Sequence, residues 1–452
     1  MAGKRSFLRR RLRRWSLRPW LPGVALVLAA CPPAALAATA HSGWDPPRDL
    51  SNGASAPVSP AATAGLDARG NAIVLWHAAP GVESVVRAAG HGFGAAHAIA
   101  GSHFSMGDLR PQLAFDAHGA ALAVWSYFEP HPRFVEDGYA VDYTFGLRVA
   151  GRGPRGSFGR AQTLTDKLDA DPSADVAFDP AGTAVVIWTD DAGMHAAARP
   201  AGKRRFSRAQ VISQTQADPQ VSIGARGSAV AAWAAERRRS WSVTAAVADG
   251  AAGFGRAQKL PISGLGDAKP VVAIDGRSAV TAAWARDGRV MAATCSAAGR
   301  CGRAQALSRA GQKASGPRVA VAADGSAVVA WHSSAGVSAA LRHGHRAFAP
   351  AVVLSSLPNG GTATDLAVAV GARGDSAALW TVHRSDGDTV VAATRRAHHR
   401  FGHAHALTAR VASAGWSDPQ VVVDRSGDVL AVWGAAIGGH PSIQAAAYNR
   451  PR

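Results

Sequence analysis

Short apolar runs alternate with Gly, Asp, Asn and Pro along this chain, and one run returns eight times. Its copies are GNAIVLW ending at Trp76, GAALAVW at Trp125, GTAVVIW at Trp188, GSAVAAW at Trp233, SAVTAAW at Trp284, GSAVVAW at Trp331, GDSAALW at Trp380 and GDVLAVW at Trp433. The tryptophans stand 45 to 63 residues apart. A period near fifty, built from strand-length runs, marks a repeat β architecture. Aligned on tryptophan, the unit reads P-x-V-A-x-D-x-x-G-x-A-V-x-x-W, a variable loop, V-x-A-A-x-R, a turn, then F-G-x-A-x-x-L-S. This predicts four short strands per unit, a to d, each bounded by turn residues.

Strand b is apolar at consecutive positions, as in Ala184 to Trp188 and Ala327 to Trp331. Such a run is buried on both faces, which a sheet stacked between two neighbours requires. The tryptophan is expected to be the wedge between units. Strand a leads into a D-x-x-G turn: Asp67/Gly70, Asp116/Gly119, Asp179/Gly182 and Asp424/Gly427. There the aspartate can accept backbone amides and the glycine can take positive φ. Gly224, Ala322 and Gly371 replace the aspartate in three units, and Ser278 replaces the glycine in another. Strand c ends near an arginine (Arg87, Arg152, Arg199, Arg342, Arg395), expected to be solvated or to reach across to the next unit. Strand d opens on an aromatic: Phe93, Phe158, Phe206, Phe254, Phe348 and Phe401.

The eighth unit reaches Arg452 with only three strands. Residues 44–51, WDPPRDLS, carry the aromatic and the Leu-Ser ending of strand d. The N-terminal segment is therefore expected to complete the last unit. A split unit closes a ring and removes an exposed strand edge. Residues 44–452 thus resemble an eight-bladed β-propeller: all-β, with four-stranded antiparallel blades and a ring closed by the N-terminal strand. Seven blades with an irregular segment, or two smaller rings, are the alternatives. Cys295 aligns with the strand-c arginine and Cys301 with the strand-d aromatic, so a disulfide is expected across that c–d hairpin.

Composition adds a compartment. The chain has 452 residues, 47% hydrophobic and 18% charged, ample for a core. Residues 1–37 read as a secretory signal: eight basic residues, the apolar run LPGVALVLAA and the cleavage motif Ala35-Leu36-Ala37. Leu28-Ala29-Ala30-Cys31 also resembles a lipobox, in which Cys31 would carry a lipid. Secretion is expected, or a lipid anchor in the cell envelope, with no other membrane contact. The net charge of +18 falls to ten positive charges once the leader is set aside. After residue 40 that charge is scattered, with no basic run longer than Arg237-Arg238-Arg239. Nucleic-acid binders concentrate charge on one face, so no nucleic-acid partner is expected. The chain is expected to be a monomer.

Candidate chemistry lies where the units differ. The second unit inserts YFEPHPRFVEDGYAVDYTF at 127–145, with Tyr127, Glu136, Asp137, Tyr139, Asp142 and Tyr143. Aromatics beside carboxylates suit sugar stacking and hydroxyl recognition; the bland reading is a hairpin extension packed on the ring. Asp171, Asp218, Asp365 and Asp418 each precede a strand a. Either they serve Asp-Pro turns, or they converge to hold a hard cation such as Ca²⁺. No other cofactor is expected. His398, His399, His403 and His405 sit on one c–d hairpin, without an acid or cysteine to complete a metal site. Sialidase-type propellers carry S-x-D-x-G-x-x-W repeats; the phrase here departs in spacing and order. The expected function is a binding or scaffold module for a glycan, peptide or envelope protein. The alternative is a glycan-active hydrolase or lyase of the sialidase-like propeller type.

Overall fold

The computed structural model describes residues 43–449, apart from 53–55, 80, 100–109, 136–137, 225–226, 249–252, 358–360, 410–416 and 438. The leader, its cleavage point and Cys31 lie outside the described residues. Eight four-stranded antiparallel sheets form, each in the order a-b-c-d from the inside outward. The inner strand of every blade touches the inner strands of both neighbours, and the last touches the first. The chain is an eight-bladed β-propeller.

Each core cluster is an interface between blades. Trp188 packs on Leu122 and Val124 of blade 2. Trp233 packs on Val185 and Ile187 of blade 3, and Trp76 on Leu430 and Val432 of blade 8. The blade tryptophans all face the preceding blade and are at most 2% exposed. This is why strand b is apolar at every position: alternate residues serve opposite neighbours.

Closure follows the sequence. Arg48 and Asp49 pair with Ala445 and Gln444 of the last blade's strand c, and Trp44 bridges to Tyr448. The Leu50 N–H donates to the Ile443 carbonyl at 2.8 Å. Cys295 and Cys301 form a disulfide. They occupy the bridge held by Arg87 and Phe93 in blade 1 and by Arg395 and Phe401 in blade 7.

The D-x-x-G turns do more than reverse the chain. Asp116 Oδ1 accepts the N–H groups of His118 and Ala120, both at 2.8 Å. Asp67 and Asp424 do the same in their turns. The carboxylate also reaches the next blade: a Cβ on Gly119 would lie 2.7 Å from Asp67 Oδ2. Side chains at this glycine are excluded by both its φ of 88° and its neighbour.

The strand-c arginines are enclosed rather than solvated. Arg87, Arg342 and Arg395 are buried, and Arg152 and Arg199 are half-buried. Three of these cations stack on the blade's own aromatic, Arg87 at 5.4 Å from the Phe93 centroid, Arg199 at 5.5 Å from Phe206 and Arg342 at 5.1 Å from Phe348. Burial lowers each guanidinium's pKa, and nearby carboxylates oppose it. Among these is the turn aspartate of the preceding blade: Asp424 for Arg87, Asp67 for Arg152, Asp116 for Arg199 and Asp275 for Arg342. Where Gly224 and Gly371 remove that aspartate, the following blade has Cys295 or Tyr448 in place of arginine.

Candidate functional site at the channel mouth

The b–c hairpins and d–a connections share the face opposite these turns. A cavity of about 920 Å³ opens there, lined by blades 3 to 6. Its wall is built from the entrances of inner strands: Asp171 and Ser173, Asp218 and Gln220, Pro270 and Val271, Pro317 and Arg318.

One hairpin overhangs it. Blade 4 extends strands Ala229–Arg237 and Ser240–Ala248. Arg238 and Arg239 form the turn with φ of 52° and 60°. Two positive φ values match a type I′ turn, which prefers Asn-Gly, so two arginines there hold a strained conformation. Trp241 pairs in register with Glu236, and its backbone N–H donates to the Gly266 carbonyl at 2.7 Å. Lys269 Nζ lies 5.5 Å from the Trp241 ring centroid and 3.9 Å from Asp218 Oδ2. Trp241 is half-buried, and among the described tryptophans it alone is outside the core. An aromatic face, carboxylates, amide groups and cations thus meet in one concave site.

The wall is stitched from blade to blade. Thr63, Gln112, Asp175, Gln220, Val271, Arg318 and Gln420 occupy one register position on seven inner strands. Asp175 Oδ2 accepts the Val221 N–H of the next blade at 2.7 Å, and Oδ1 accepts the Val176 N–H at 2.9 Å. Gln420 serves Ala64 in the same way. Asp175 and Gln420 thus satisfy amides on the open inner edge of the following blade. Enclosure in the wall pushes the Asp175 carboxyl up to about 7, against the pull of its two N–H donors.

The four aspartates at strand entrances are not gathered into one set. Asp171 and Asp218 line the cavity. Asp418 pairs with Arg110. Asp365 lies inside strand Thr362–Val370, in an irregularity between Thr364 and Ala367, and accepts the Thr364 hydroxyl at 3.0 Å. Among the described residues no group of three or more His, Cys, Asp or Glu is placed to hold a metal. Of the histidines, His343 and His398 stack at 4.9 Å. Burial, then Arg395 and His398, lowers the His343 pKa.

The insertion at 127–145 is a two-stranded ribbon, strands Ala121–Val135 and Gly138–Arg152. Tyr127 is buried beneath Arg148, whose guanidinium is 4.0 Å from the ring centroid, and burial raises its pKa. Asp142 pairs with Arg133 at 2.6 Å in the open. Tyr143 is half-exposed and meets Phe128 edge-on at 5.4 Å. Glu136 and Asp137 lie outside the described residues, as does the side chain of Tyr139. Pairing alternates Tyr127, Glu129, His131 and Asp142 with Phe128, Pro130 and Tyr143 on the opposite face. Tyr127 and Tyr143 thus sit on opposite faces of the ribbon.

Sequence reasoning missed Trp241, Lys269 and Arg318. The signal for Trp241 was present: it stands eight positions after Trp233, off the repeat period, beside the basic run Arg237-Arg238-Arg239.

No family model matches the chain, and no curated protein is similar to it in sequence. Its fold is shared with solved structures. The BP39L lectin from Burkholderia pseudomallei is 14% identical with a TM-score of 0.52, over 78% of this chain and 100% of that one. A protein of unknown function from Dyadobacter fermentans is 12% identical, TM-score 0.42, over 86% and 94%. The NanB sialidase from Streptococcus pneumoniae is 9% identical, TM-score 0.36, over 87% and 86%. The class these observations define is the β-propeller.

Proposed function

We propose that this is an exported glycan-binding propeller whose ligand lies at the channel mouth between blades 3 and 6. One observation carries the reading: the single described tryptophan outside the core overhangs the 920 Å³ cavity, beside carboxylates and a lysine. A sugar's C–H face stacks on an indole, while carboxylates and amides accept and donate to its hydroxyls. Asp218, Glu236 and Gln220 supply those partners beside Trp241. A lectin is among the proteins of this fold. The leader at 1–37 supports export, with Cys31 the point of any lipid anchor, and the ring acts as a monomer.

The test is a glycan array followed by calorimetry on the best binder. Trp241→Ala should abolish binding and leave the melting temperature within about 2 °C, as for a residue outside the core. Binding that survives this substitution, or an array on which the wild type retains nothing, would overturn the proposal.

A further inference from the structure

The joint between blades 3 and 4 departs from the others on the turn face. Blade 3 supplies its turn aspartate, Asp179, whose Oδ1 accepts the Thr183 N–H at 2.7 Å. Blade 4 supplies the aromatic, Phe254, 7% exposed. At the arginine position blade 4 has Ala248, which bridges to Phe254 as Arg87 bridges to Phe93. A cavity of about 260 Å³ results, lined by Asp179, Phe254, Gly227 and Ala248 among others. An apolar cavity of roughly 150 Å³ already admits benzene.

The protein itself shows what such a slot holds. In blade 6 the Arg342 guanidinium stacks on Phe348, donates from Nε to the Gly325 carbonyl at 3.1 Å and faces Asp275 of the preceding blade. In blade 7 the Arg395 Nη1 donates to the Gly374 carbonyl at 2.8 Å. Each element has its counterpart at the 3|4 joint. Phe254 is the stacking surface, Gly227 stands where Gly325 and Gly374 stand, and Asp179 is the carboxylate. Gln210 fixes the spacing, with its amide clasping the Phe254 backbone at 2.6 and 2.8 Å.

We propose that this cavity binds a guanidinium group from outside the chain, either a free alkylguanidine or an arginine side chain of a peptide. The planar cation stacks on Phe254 and donates to the Asp179 carboxylate and the Gly227 carbonyl. One arginine of the chain competes: Arg208, exposed and part of the lining.

The probe is ethylguanidinium at millimolar concentration, with ethylurea as its neutral isostere, titrated into the full chain by calorimetry. Ethylguanidinium should bind at one site and ethylurea should not. Ala248→Arg places the chain's own cation in the slot and should abolish binding while the melting curve stays cooperative. Asp179→Asn should weaken binding by about tenfold or more, the scale of one charge-assisted hydrogen bond. Arg342→Ala opens an equivalent slot and should raise the stoichiometry to two. Binding unchanged by Ala248→Arg overturns the proposal. So does a wild type that binds nothing until Arg208 is removed, because the slot is then filled from within. An acetylated, amidated arginine peptide separates the two sources: a gain of about tenfold over ethylguanidinium points to a protein partner, and equal affinity to a small cation.

Discussion

The two faces of the ring follow opposite rules. On the turn face, the same contacts recur: an aspartate anchors its own turn, abuts the next blade's glycine and lies in the field of the next blade's arginine. On the loop face little repeats. One hairpin is a long ribbon, another carries three arginines and a tryptophan, and three of the inner strands, in blades 1, 6 and 7, are interrupted near their entrances. Repetition identifies what joins blade to blade. Departure from it identifies where a ligand can be recognised, and the 3|4 joint is such a departure on the repeated face.

Tryptophan separates repeat from departure most sharply. Trp331 is fully buried between blades 5 and 6, packed on Ala283 and Ala292. Trp331→Ala should cost about 3–5 kcal/mol by loss of transfer energy and by the cavity left behind. Denaturant midpoints measure this; a loss below about 1 kcal/mol would mean that the repeated tryptophan is not the wedge. The same substitution at Trp241 should act on ligand binding instead.

A middle effect comes from the channel wall. Asp175 is raised to about 7 in the fold, against about 3.9 in the unfolded chain. Between those values the unfolded state releases its proton while the folded state keeps it. Stability should therefore be highest near pH 4, fall as the pH rises to about 7, and level off above. Asp175→Asn should flatten that slope. Urea midpoints from pH 4 to 8 check it, and an unaltered slope would place the titration in another group.

The smallest effect belongs to the ribbon. Arg133 and Asp142 pair with side chains 58% and 60% exposed, a setting in which ion pairs contribute about 1 kcal/mol or less. Asp142→Ala should leave the melting temperature nearly unchanged. A larger loss would make the ribbon part of the ring's core.

What was legible in the sequence is what repeats. The tryptophan phrases reported the blades, WDPPRDLS reported the closing strand, and the aligned cysteines reported the disulfide, because each rests on a position shared by all units. The partner of the strand-c arginine was harder to read. Its aspartate belongs to the preceding blade, so the two stand far apart along the chain, as Asp67 and Arg152 or Asp116 and Arg199 do, and the pair becomes visible only when neighbours are stacked. The candidate site was least legible. Length drew attention to 127–145, yet register places Tyr127 and Tyr143 on opposite faces of a ribbon. Asp365 looked like a strand entrance and sits in a strand interruption. Trp241 is set beside Lys269 and Asp218 by three different connections, which spacing along the chain does not reveal.

The last blade is a clasp made from both ends of the ring. Ser51 and Ile443 meet across 392 positions. Joining distant ends adds little free energy, because closure entropy grows only with the logarithm of length. In time it is expected to come late, since contacts between distant residues are slow to form. Until then the outer edge of strand His440–Tyr448 is open, and its exposed amides and carbonyls are a template for another chain. The interval before the clasp shuts is when two molecules of this protein could exchange their first strands.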